Sequence, residues 1–152
     1  MNRRLFGRAG LLALVGLTSA RAAETAVPRH RIALQVGVND PALMNLALTH
    51  IETLAAHYAA AGESVAIDLT ALGPGYRMLR ADTSPVRARI AEIGARHPFV
   101  AFSACQHTRA ALAREAGREP SAIPQLPEAR DVPAGVVHLA ELQERGWSCL
   151  RP

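Results

Sequence analysis

The chain has 152 residues, 49% apolar and 20% charged, which suits one globular domain of ordinary size and excludes intrinsic disorder. All 17 basic side chains are arginines; Arg3, Arg4, Arg8 and Arg21 fall in the first 22 residues, where no acid occurs, and the other 13 are matched by 13 Asp and Glu. Beyond that first segment there is no basic excess to neutralise nucleic-acid phosphates or an anionic membrane surface, and no apolar run reaches the roughly 20 residues of a spanning helix.

Residues 1–22 have the form of an export signal. Met1 to Arg8 is a basic region, Ala9 to Leu17 a short apolar run, and Ala20-Arg21-Ala22 an A-x-A cleavage pattern that starts the mature chain at Ala23. A buried N-terminal helix is the alternative. Asn2-Arg3-Arg4-Leu5-Phe6 also looks like a twin-arginine signal, and Arg21 suits that route; an ordinary secretory signal with a chance Arg pair stays equally open. Either route places the mature protein in an oxidising compartment, most simply a bacterial periplasm.

Residues 23–30 read as a polar arm, and Arg31 to Val36 as a strand. Asp40-Pro41 starts a helix by capping plus proline, with Leu43, Leu46, Ile51, Leu54 and Tyr58 at helical spacing and Gly62 as its stop. Ser64 to Thr70 alternates as a second strand. Gly73-Pro74-Gly75 is a tight loop and Tyr76 to Arg80 one helical turn. Ser84-Pro85 opens a helix carrying Val86, Ile90 and Ile93, which ends at His97-Pro98. Phe99 to Ala104 is a buried strand, and Cys105-Gln106-His107-Thr108 leads into a helix ending near Ala116. Residues 117–127 hold three prolines and read as a loop; a weak strand at 129–132 follows. Pro133 opens a last helix with Val136, Leu139, Ala140 and Gln143 on one side, and Trp147 to Leu150 is a final strand. Strands alternating with helices imply an α/β fold: a three-layer α/β/α sandwich on a mostly parallel sheet of about five strands. Ligands gather beyond the carboxyl ends of such strands, where the loops at 37–40, 73–76 and 105–108 converge.

Cys105 is the sharpest chemical feature. At a strand end and helix N-terminus, the helix dipole favours the thiolate, the nucleophilic and sulfur-accepting form; a small buried apolar cysteine is the alternative. His107 either assists that thiolate or is simply exposed. Cys105 with His107 resembles a fragment of a metal site but has no further ligands at suitable spacing, so neither metal nor cofactor is expected. His50 and His57, seven apart on one helix, read as packing or surface residues. Gly73-Pro74-Gly75-Tyr76 is either a tight turn or an anion nest, and matches neither a dinucleotide fingerprint nor a P-loop. Cys149 is the other cysteine; a bridge to Cys105 requires that no strand lie between them.

The segments RIALQV, NDPALMNLALTHIETL, ALGPGYRMLRAD, FVAFSACQHT and VPAGVVHLAELQERGWSCLRP, in this order and spacing, resemble the exported, single-domain branch of the DsrE/DsrF-like family over about residues 31–152. The resemblance implies an α/β sandwich, a homo-oligomer such as a dimer or trimer, and sulfur handling: Cys105 would take a sulfur atom as a persulfide and pass it to a partner. The family commonly has Cys-Gly-Asn-Thr where this chain has Cys105-Gln106-His107-Thr108, and Tyr where it has Cys149.

Three functions therefore compete. The first is a periplasmic sulfur carrier or sulfurtransferase accessory that meets a donor and an acceptor protein. The second is a non-catalytic module binding a small ligand or a partner in a pocket made by Asn39, Gly73, Pro74, Gly75, Tyr76, Gln106, His107 and Thr108, which Cys105 merely lines. The third is a redox protein using Cys105 and Cys149, against which stands the missing Cys-x-x-Cys spacing.

Overall fold

The structure, a computed structural model, describes residues 27–152; the expected export signal and the first half of the arm lie outside the described residues. Strands and helices alternate as β1 (His30–Val36), α1 (Pro41–Ala60), β2 (Val65–Ala71), α2 (Arg87–Arg96), β3 (Val100–Cys105), α3 (Gln106–Glu115), β4 (Ala129–Val132), α4 (Gly135–Glu144) and β5 (Ser148–Leu150). The five strands form one sheet of order β4-β3-β2-β1-β5, and every neighbouring pair is parallel.

The chain steps from β1 through β2 and β3 to β4 in one direction, then returns to add β5 beside β1. Right-handed crossovers must move the last helix to the opposite face when the direction reverses, and the core divides that way. Residues of α1, α2 and α3 pack with Ile32, Leu34, Ile67, Leu69 and Phe102. Leu139 and Leu142 of α4 pack with Ala33, Leu72 and Trp147 instead. The fold is α/β, with helices on both faces of the sheet. Each fully buried side chain such as Leu34, Leu48 or Ile90 contributes about 1.5–3 kcal/mol of transfer free energy against the entropy of ordering the chain.

Local chemistry explains the helix starts. Asp40 Oδ1 accepts from the Ala42 and Leu43 amides at 2.8 and 3.4 Å, with Pro41 as the first helical residue. Ser84 acts one step earlier than expected: its hydroxyl accepts from the Val86 amide and donates to the Met78 carbonyl, so it closes a turn, and α2 begins only at Arg87.

Two helix faces differ from the expected ones. In α1 the buried stripe is Met44, Ala47, Leu48, Ile51 and Ala55, and Leu46 is exposed. In α4 it is Gly135, Leu139 and Leu142, whereas Val136, Ala140 and Gln143 face outward. A glycine sets the phase of α4 because its backbone, rather than an apolar side chain, meets the sheet. Residues 117–127 are also more ordered than a plain loop: the Leu126 amide donates to Leu79 O and the Ala81 amide to Pro124 O, around an antiparallel bridge between Arg80 and Gln125.

Candidate functional site

Cys105 ends β3 and is the N-cap of α3; its Sγ accepts from the Thr108 amide at 3.5 Å. The same Sγ accepts from the Gly135 amide at 3.1 Å. Gly135 opens α4, whose N-cap residue, Ala134, makes no side-chain cap bond. One sulfur thus satisfies donors at two helix N-termini, and α4 comes this close because Gly135 has no side chain. A Cβ there would stand 2.9 Å from Leu72 Cβ, 3.2 Å from Cys105 Cβ and 3.3 Å from Thr70 Cγ2. Burial pushes the Cys105 thiol up. Hydrogen bonds from the Thr108 side chain and from the Gly135, Thr108 and His107 amides outweigh it and hold the thiol below its ordinary value.

The Gly-Pro-Gly loop is part of a 3-10 segment, Gly73–Leu79. Gly75 is required by space: a Cβ there would lie 2.3 Å from Val36 O, so the loop rests on the end of β1. The Gly73 amide donates to Thr108 Oγ1 at 2.9 Å. Thr108 therefore ties the loop to α3 while its own amide serves Cys105.

Tyr76 is fully buried; its hydroxyl donates to Gln125 Oε1 at 2.5 Å, and burial pushes its pKa up to about 12. Gln106 Nε2 donates to Gln125 Oε1 and Asp131 Oδ1 at 3.0 and 2.9 Å. Tyr76 and Gln106 thus belong to one polar knot joining the loop, α3 and β4. His107 is exposed, and its amide donates to Pro133 O. Asn39 Oδ1 accepts from Arg77 Nη1 at 3.2 Å. A cleft of about 390 Å³ is lined by Asn39, Gly73, Pro74, Arg77 and Leu112 among others. Cys105 is not in its lining, so the residues expected to form one pocket divide into a cleft, a polar knot and a capped sulfur.

A buried network beneath α4 escaped the sequence reading. Asp68 is fully buried in β2. Its Oδ1 accepts from Thr70 Oγ1 and its Oδ2 from Ser103 Oγ, each at 2.8 Å. Oδ2 also meets the Arg130 guanidinium and, at 3.1 Å, His138 Nε2. Thr70, Ser103 and Arg130 form one row across β2, β3 and β4. The signal available was a single charged residue, Asp68, in a largely apolar strand of a sheet covered on both faces.

The two cysteines are free, Cys105 buried and Cys149 exposed. β2 and β1 separate their strands, so they stand at least three strand spacings, roughly 14 Å, apart, beyond the approximately 7 Å a bridge tolerates. That overturns the paired-cysteine redox function for this fold. Among the described residues no group of three or more His, Cys, Asp or Glu is placed to hold a metal ion, and no helix is long and apolar enough to cross a membrane.

Fold and site together define an α/β protein with a doubly capped cysteine at the carboxyl edge of a parallel sheet. The chain is similar in structure to MTH1491 from Methanobacterium thermoautotrophicum, a protein of unknown function. The TM-score is 0.67 and the identity 27%, over 81% of this chain and 99% of that one. No family model matches the chain, and no curated protein matches it.

Proposed function

We propose that the protein is an exported sulfur carrier that holds a persulfide on Cys105 and hands it to an acceptor in the periplasm. One observation carries the reading: Cys105 Sγ lies between two helix N-termini and accepts the Thr108 and Gly135 amides, an environment that favours a thiolate. The resemblance to the DsrE/DsrF-like family agrees with it. In the loading step the Cys105 thiolate attacks the outer sulfur of a donor persulfide. A new S–S bond forms at Sγ, the donor's S–S bond breaks and its thiolate leaves, with no net oxidation. Transfer to the acceptor repeats this exchange with the acceptor thiolate attacking.

Intact mass under non-reducing conditions, before and after a persulfide donor, tests the proposal. A reducible gain of one sulfur mapping to Cys105, absent in a folded Cys105→Ser variant, is the expected result. Loading of that variant at the wild-type level sinks it. Assembly into a homodimer or homotrimer belongs to the same reading, and sedimentation velocity of the mature protein tests it.

The burial of Cys105, 4% exposed, favours a second reading: a ligand- or partner-binding module in which the sulfur is a structural cap. Slow alkylation of native Cys105 relative to a free thiol supports this module; alkylation as fast as a free thiol counts against it.

A further inference from the structure

Arg77, like Arg109, is an arginine held by neutral acceptors alone, and of the two only Arg77 lines a cleft with Arg80. The Arg77 Nε donates to Thr83 O at 3.1 Å and its Nη1 to Asn39 Oδ1 at 3.2 Å. Both acceptors are neutral, so the guanidinium is fixed without being neutralised, and no carboxylate of the described residues forms an ion pair with it. Arg80, which lines the same cleft, differs: its charge is spent on Asp82, at 3.0 and 2.6 Å. Arg77 is half-buried, and Pro74 and Leu112 add apolar wall to the cleft. A fixed positive charge beside low-dielectric walls draws an anion more strongly than a mobile surface arginine does. At about 390 Å³, the space lies within the range of small-molecule sites, in which one or two polar anchors orient a largely apolar ligand.

We propose that this cleft binds small organic anions, the carboxylate or phosphate of the ligand pairing with Arg77 and its apolar part lying against Pro74 and Leu112. The site does not depend on sulfur transfer. It neighbours Cys105 through the Gly73–Thr108 hydrogen bond, but Cys105 is not part of its lining.

The test is an amide and arginine-side-chain NMR titration of the mature protein with benzoate, hexanoate and phenyl phosphate, with benzamide as the neutral control. Saturable shifts at Asn39, Gly73, Leu112 and the Arg77 Nε–H group with at least one of the anions, at least tenfold weaker with benzamide, are expected. Two variants then separate charge from shape. Arg77→Gln removes the cation. Asn39→Asp keeps the acceptor and its size but supplies the missing counter-charge, so it weakens anion binding at least tenfold with the spectrum otherwise native. The proposal is overturned if none of the three anions gives saturable shifts at these residues, if benzamide binds as well as benzoate, or if the folded Asn39→Asp variant binds like wild type.

Discussion

Tyr76 has its hydroxyl buried beside Gln125, and burial lifts its pKa from the ordinary value of 10.0 to about 12. The folded protein therefore keeps a proton that the unfolded chain releases. Its contribution to stability is complete below about pH 10 and is lost as pH rises toward about 12. Spectrophotometric titration of the native protein should show this tyrosine ionising near pH 12. In urea unfolding, wild type should lose more stability than Tyr76→Phe between about pH 9 and pH 11. At lower pH the Phe variant should cost about 1 kcal/mol for the lost hydrogen bond. The placement of Cys105 at a strand end and helix start was legible in the sequence, because an apolar run followed by polar residues fixes that junction. The second cap was not. It depends on where α4 returns, which is settled by strand order, and no local pattern encodes that order.

At the scale of elements, the Gly-Pro-Gly segment and α4 are held by different means, and substitution should separate them. Gly75→Ala forces a methyl into the end of β1, against backbone that cannot swing away, and should cost about 3 kcal/mol or more in urea unfolding. Gly62→Ala is the contrast: φ is 67° and nothing lies within 4 Å, so the cost should be only about 1 kcal/mol of left-handed backbone strain. For α4, Asp68→Asn leaves the donors of Thr70, Ser103, Arg130 and His138 facing a neutral amide, and should destabilise by about 3 kcal/mol; Ser103→Ala should cost closer to 1. The element order was readable from caps, prolines and apolar periodicity. The faces of α1 and α4 were not, because helical spacing leaves the phase of a stripe open when Leu46 and Val136 compete with Ala47 and Gly135. Small residues won where the backbone had to approach closely, and apolar counting gives such positions no weight.

For the whole molecule, the sheet order governs the sulfur chemistry. Two intervening strands keep Cys105 from Cys149, so thiol counting on the folded, purified protein should find two free thiols per chain, and a monomer two hydrogens light would contradict the strand order. Alternation of strands and helices was enough to expect a parallel sheet with helices on both faces. The reversal that sends β5 to the far side of β1 was not legible, since β5 has three residues, Ser148–Leu150, and nothing in so short a strand names its neighbour.

The double cap on Cys105 has a kinetic meaning. Cys105 is almost fully buried, so an electrophile reaches Sγ when the structure around it opens, and the first turns of α4 and α3, whose amides bond to the sulfur, act as a gate in series with the chemistry. Labelling should therefore rise with reagent concentration and then level off at the opening rate of that gate. The plateau should match the hydrogen-exchange rate of the Gly135 or Thr108 amide measured at high pH, where each opening leads to exchange. A reagent aimed at the cysteine would thus serve as a clock for the helix.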